Sequence, residues 1–394
     1  MTGKADALVG RALIACIARR QDEAIDRVLS LGLLRPLIES GRYHRVLNLV
    51  HLALDGRTGV EEELGTGLKR YYLHQVGHHL RAVEDLSTLA RTLDSAGVPW
   101  LLVKGPVLSE VMYERSDLRV YNDLDVVIAR AAFPDAIDVL RETGFELLDR
   151  NWDLIRREGR AQLHLSLRLG TVADVHHHLL NRAVVRDSLA LPMDELFDRA
   201  RIVKVGSVAV RTLESVDTLL HLCIHAALAG GQLLLWLKDV ERVVASDAPP
   251  WDDVVRRARS WRAGALVAVV LRRARDELGA AVPAWVLRDL FASGLRAAVS
   301  AAVDRAWPPD RAGAGINGAS LWAQIVRDGW GATASAFALR TSRPLLKATG
   351  RLDSDEDWAH PHHHGGPDGD EIETDPSPYL REVADSDASA DPEA

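Results

Sequence analysis

The stretch "LLVKGPVLSEVMYERSDLRVYNDLDVVIA", Leu101–Ala129, decides how the chain is read. An apolar run ends at Gly105. A second apolar run, "DLDVVIA", begins with two aspartates one residue apart. In a strand, residues i and i+2 share a face. Asp123 and Asp125 therefore project together, roughly 6–7 Å apart at Cα by strand rise, while Leu124, Val126 and Ile128 face the core. Like charges that close are unfavourable unless a cation lies between them or water screens them. Hard divalent ions take oxygen ligands, and Mg²⁺ is commonly held by one or two carboxylates plus substrate phosphates. A turn-to-strand junction with solvated acids is the plain alternative, because Asp is common in turns. Spacing alone leaves both readings open.

Around this stretch the periodicity changes twice. Residues 1–97 repeat apolar positions at three- and four-residue steps, in "ALVGRALIACIARR", "AIDRVLSLGLLRPLIES", "YHRVLNLVHLAL" and a long amphipathic segment that Gly97 stops. Residues 98–212 are mixed: strands at "VPWLLVKG", "DLDVVIA", "FELLDR", "AQLHLSLRLG" and "VADVHHHLL", a helix closing at Gly144, and hairpins turning at Gly170 and Gly206. Pro106 suits the first turn of a helix. Residues 213–350 read as helices again. Residues 351–394 are expected to be a disordered acidic tail rich in Asp, Pro, Gly and Ser.

Composition narrows the function classes. An apolar fraction of 47% with 26% charged residues is that of an ordinary globular protein. The formal charge of −8 is concentrated in the tail, where Arg381 is the sole base among the acids from Asp353 to Glu393. The rest of the chain is mildly basic. That suits a polyanionic ligand such as a nucleotide but lacks the concentrated stripe of a nucleic-acid binder. Cys16 and Cys223 lie in apolar helical contexts and suggest no disulfide framework, pointing to a reducing cytoplasm. "LIAC" at 13–16 faintly resembles a lipoprotein cleavage site, but Lys4, Asp6 and Arg11 leave no apolar segment before it. No apolar run approaches the ~20 residues needed to span a bilayer.

Several segments together resemble the bacterial group described as uncharacterised nucleotidyltransferases, within the DNA-polymerase-β-like nucleotidyltransferase superfamily. "LLVKGPVL" is similar to that group's L-K-G-x-x-L element, and "RVYNDLDVVI" to its strand with paired aspartates. "ADVHHHL", "DTLLHLCIHA", "WLKDVERVV" and "WDDVVRRA" resemble its later elements in order and rough spacing. The fold implied is α+β: a small mixed-sheet nucleotidyltransferase core over 98–212, flanked by N-terminal helices and a C-terminal helical domain. The resemblance implies that Asp123 and Asp125 bind Mg²⁺ (or Mn²⁺), with Asp174 as third carboxylate, base or metal ligand. Lys104 and Gly105 would lie against the triphosphate of an NTP. Arg119 would either support the phosphates or brace its loop. The acceptor would be a hydroxyl on a small molecule or peptide. Two other outcomes stay open: a non-catalytic nucleotide-binding or regulatory protein, and a metal-dependent phosphohydrolase.

The chain also departs from the superfamily pattern. Pro106 stands where a serine generally follows the glycine, removing a hydroxyl and an N–H. Seventeen residues separate Gly105 from Asp123, and His177 replaces the group's usual Trp. Among the remaining candidates, His176 shares Asp174's face and is a possible metal or substrate contact. Asp239 is a possible acceptor contact, or simply a helix contact. His221 and His225 have a chelating i, i+4 spacing without further zinc ligands, and read as structural. The "HPHHHGG" run at 360–366 lacks an ordered scaffold. The tryptophans of the C-terminal helices fall at packing intervals and read as core anchors.

Overall fold

A computed structural model describes residues 3–19, 22–306 and 375–388. Residues 307–350 of the expected C-terminal helices, with Trp307, Trp322 and Trp330 among their tryptophans, and the 360–366 histidines lie outside them. The chain divides into two compact units, and neither is a continuous segment.

The first unit comprises Met1–Gly77, Leu108–Val120 and, of its stretch Ser215–Phe337, the described residues 215–306. It is helical. Helices Gly3–Ala18, Glu23–Ser30, Leu34–Tyr43 and Leu47–Leu54 are followed by the opening turns of Glu62–Ser95. Ser215–Leu228, Leu234–Ser246, Trp251–Ser260, Gly264–Leu278, Ala284–Phe291 and Gly294–Ala306 complete it. The periodic runs are broken where the backbone turns left-handed. Gly32 (φ 66°) splits 24–40, and Arg262 (φ 57°) and Ala292 (φ 54°) end the helices before them. Leu13, Ile17, Leu37, Leu237, Leu271 and Trp261 are buried in this core. The N-terminal and C-terminal helices, separate in sequence, thus share one unit.

The second unit comprises His78–Val107, Tyr121–Glu214 and the described part of the tail. Five strands, β1 (Trp100–Val103), β2 (Asp123–Ile128), β3 (Glu146–Leu147), β4 (Gln162–Ser166) and β5 (Val172–His176), form one sheet in the order β1-β2-β5-β4-β3. β2 and β5 run parallel and every other pair is antiparallel. β6 (Arg201–Val205) and β7 (Val208–Thr212) form a hairpin turning at Gly206 (φ 56°). Leu124, Val126 and Ile128 are completely buried, each contributing about 1.5–3 kcal/mol by burial. Asp85 fixes the β4–β5 turn, accepting hydrogen bonds from the Leu169 and Thr171 amides at 2.9 and 3.2 Å.

The segment after β1 is less regular than its proline suggests. Gly105–Val107 makes one helical turn, Leu108–Met112 widens into a π-turn, and Ser116–Leu118 is 3₁₀. The Tyr113 amide reaches back five residues to the Leu108 carbonyl.

The acidic tail contains an element that its composition hides. Ser377–Ala388 is a helix. Tyr379, Leu380 and Val383 are buried and give it an apolar edge. Tyr379 donates a hydrogen bond to the Arg160 carbonyl at 2.9 Å, and Glu382 pairs with Arg156. Average composition marked this segment as coreless, but three correctly spaced apolar residues suffice to dock it.

Candidate active site

The register of the sheet assembles a polar face from two residues on each of three strands. Asp125 on β2 stands opposite Asp174 on β5, and Asp174 stands opposite His164 on β4. One pair further along, Val127, His176 and Gln162 share a row. Because alternate residues share a face, Asp123, Asp125, Asp174, His176, Gln162 and His164 all project to one side. The intervening Leu124, Val126, Ala173, Val175, Leu163 and Leu165 fill the core on the other.

Three ligand atoms, one each from Asp125, Asp174 and His176, lie within 4.8 Å of one another. This is a donor set able to hold a metal ion. Asp123 opens β2 on the same face, half-buried and opposite Val172, and its oxygens are not among the three. His176 Nε2 is 3.5 Å from Asp125 Oδ1.

Lys104 and Gly105 reach the site through an unusual backbone. Both have positive φ, 51° and 37°. At Gly105 a Cβ would sit 3.1 Å from the Asp123 carbonyl oxygen, so a side chain there would press on the strand that carries the aspartates. Lys104 pays for its left-handed conformation with about 1–2 kcal/mol. The turn places its Nζ 2.7 Å from Asp125 Oδ1, with both side chains largely buried.

The two central carboxylates are electrostatically unlike. Burial would push Asp125 up, but the Lys104 ammonium and the His176 ring outweigh it and hold the carboxyl well below the usual carboxylate range. Burial, followed by the charge of Asp125, pushes Asp174 up, against the opposing His176, His164 and Lys104. Neighbouring carboxylates with pKa values driven apart can divide ligand and proton-acceptor roles.

Gln162, His164 and Asp149 escaped the sequence reading. Gln162 Nε2 donates to Asp174 Oδ2 at 2.6 Å, and Asn181 donates to the Gln162 oxygen at 2.9 Å. Asp149 accepts from the His164 amide at 2.6 Å and contacts its Nδ1 at 3.0 Å. Burial lowers the His164 pKa, but Asp149 and then Asp174 outweigh it and raise the imidazole. The signal was present: β4 alternates Gln162, His164 and Ser166 with buried leucines, the same period-two pattern that exposed the aspartates.

Arg119 and Asp239 belong to the helical unit, where they pair with each other. Arg119 Nε and Nη2 donate to the two Asp239 oxygens at 2.8 and 2.9 Å, and Tyr113 donates to Asp239 at 2.8 Å. Of the two roles expected for Arg119, this pair supports the brace. His177 and His178 are held away from the polar cluster. His177 packs edge-on against Phe133 at 5.1 Å, and His178 Nδ1 accepts from the Leu180 amide. Burial lowers both pKa values, that of His178 to about 3, with help from Arg186 and Arg130. His221 and His225 have ring centroids 6.2 Å apart, and His225 packs edge-on against Trp236. Cys16 and Cys223 are buried free thiols, pushed up by burial, Cys16 to about 12. Among the described residues, no helix is long and apolar enough to cross a membrane.

Clustered carboxylates beside a buried lysine and a glycine that permits close backbone approach define a candidate centre for metal-assisted phosphoryl chemistry. A family model described as "Uncharacterised nucleotidyltransferase" matches residues 35–279, more than half of the chain. The chain belongs to that family, and membership supports a nucleotidyl-transfer role. No curated protein matches the chain.

Proposed function

We propose that the protein transfers a nucleoside monophosphate from an NTP to a hydroxyl of a small-molecule or peptide-derived acceptor, using Mg²⁺ or Mn²⁺. The observation that carries this reading is the register of Asp125 against Asp174 on parallel neighbours, with Lys104 on the same carboxylate. Family membership supports it independently.

The donor set fits a divalent cation: closely grouped carboxylate oxygens and a buried imidazole without a hydrogen bond of good geometry. Asp125 and Asp174 would hold it, with Asp123, on the same face but outside that close group, as the expected third carboxylate. When bound, such a cation neutralises triphosphate charge and acidifies a nearby hydroxyl. Lys104 supplies positive charge beside the carboxylates, and Gly105 keeps the backbone open for a phosphate. Gln162 orients Asp174 by its hydrogen bond. The acceptor oxygen forms a bond to the α-phosphorus, and the bond from that phosphorus to the bridging oxygen breaks. Pyrophosphate leaves with that electron pair. The hydroxyl proton passes to the Asp174 carboxylate and on to solvent.

The test uses α-labelled NTPs, Mg²⁺ or Mn²⁺, and a cell extract as acceptor source. Label transferred with pyrophosphate release by the wild type, and lost in Asp125→Asn, supports transfer. Free phosphate release points to a phosphohydrolase. Metal-dependent NTP binding without turnover points to a regulatory nucleotide-binding protein.

A further inference from the structure

His176 is 8% exposed, and neither ring nitrogen makes a hydrogen bond of good geometry, Nε2 standing 3.5 Å from Asp125 Oδ1. Buried polar atoms are normally paired, so this imidazole stands out on a face where Gln162, His164 and Asp174 are connected to one another. Its closest charged contact is Asp125, at 3.5 Å from Nε2. That nitrogen belongs to a residue held in the β5 ladder, paired with Val127 on one side and Gln162 on the other. The ring is therefore aimed at the carboxylates by backbone register.

Donor type distinguishes the ions that such a group can take. Mg²⁺ prefers oxygen ligands in near-ideal octahedral geometry and gives up water reluctantly. Imidazole suits first-row transition ions, and Mn²⁺, at the weak end of that series, also takes the carboxylate and water ligands that suit Mg²⁺. We infer that Asp125, Asp174 and His176 form a mixed oxygen–nitrogen site that takes Mn²⁺ in preference to Mg²⁺, with His176 as a direct ligand. This rests on the transfer reading above for its location and deepens it: the cation is distinguished by a histidine outside the expected aspartate set.

Lys104 gives the site a second property. Its ammonium contacts the same Asp125 oxygen that faces His176. A divalent ion entering there competes with that ammonium. Loading therefore frees a positive charge next to Gly105, where a phosphate would be placed.

The experiment titrates the full-length protein with MnCl₂, following loss of the free-ion signal by electron paramagnetic resonance, with MgCl₂ as competitor. Pulsed measurements on the bound ion read any imidazole nitrogen coupling. Mn²⁺ should bind at least about tenfold more tightly than Mg²⁺, with nitrogen coupling that changes on ¹⁵N-histidine labelling. His176→Gln should lose the coupling and weaken Mn²⁺ by about tenfold or more, the scale of a lost metal-site interaction, with Mg²⁺ affinity within about threefold. Mn²⁺ bound without nitrogen coupling would overturn His176 as ligand, while label transfer that still required Asp125 would leave the transfer reading standing. Absence of binding by either ion, with NTP present, would overturn both. Should His176→Gln fail to fold, the isotope-dependent coupling in the wild type decides alone.

Discussion

Two buried acidic clusters in this protein look alike in a residue list and differ in how completely they are satisfied. In the helical unit, Asp239 receives two hydrogen bonds from Arg119 and one from Tyr113. In the sheet unit, Asp125 and Asp174 stand side by side with one close lysine, and the adjacent His176 makes no hydrogen bond of good geometry. The first cluster balances charge with charge and donor with acceptor. The second gathers two carboxylates and an imidazole nitrogen within 4.8 Å of one another. Completeness of pairing, more than burial, separates a brace from a site.

The largest effect should come from breaking the brace. Asp239→Ala strands a buried guanidinium and a buried phenol, and should cost about 3–5 kcal/mol of stability, read as a lowered midpoint in urea unfolding. Mn²⁺ affinity of the fraction that stays folded should be unchanged. An equal loss of metal binding would erase the distinction between the clusters. Next, Asp125→Asn should reduce label transfer by about 10²–10³-fold, the scale for removing a preorganised charged group. Far-UV circular dichroism should be retained.

A smaller loss tests the support around Asp174. Gln162→Ala should lower Mn²⁺ affinity or transfer by about tenfold, as outer-shell partners commonly do, and Gln162→Glu should not restore it because the donor is gone. The smallest effect is one of pH. Asp174 has a raised pKa in the folded protein, so its ionised form costs stability at neutral pH. As pH falls through that raised value, Asp174 takes up a proton and the cost disappears. In metal-free melts, Asp174→Asn should be more stable than wild type at pH 7, with the gap closing as pH approaches the ordinary carboxylate range. A gap that widened on acidification would reverse the sign and place Asp174 with Asp125, whose depressed pKa, held down by Lys104 and His176, makes its contribution disappear only at still lower pH.

Much of the fold was legible. Among the described residues the strands fall within the stretches read as strands, and Gly170 and Gly206 turn the hairpins where expected. The paired aspartates stood out because they interrupt a strand that otherwise needs burial, whereas Asp174 was pointed to by the resemblance of its strand to a later family element. Gln162 and His164 follow the same alternation but are common on a half-exposed strand, so their pattern alone said little. Asp149 had no signal in its own neighbourhood, since its partner lies fifteen residues away.

The sequence by itself determined most of the elements, the face on which β2, β4 and β5 carry their polar residues, and the membership that points to nucleotidyl transfer. Only the tertiary structure decided which polar residues meet. Register between β2, β5 and β4 sets Asp125, Asp174, His176 and Gln162 together, and in the other unit Arg119 and Asp239 pair with each other. The physical reason is range: alternation and capping are local and readable along the chain, whereas cross-strand register depends on how distant segments bury their apolar faces together.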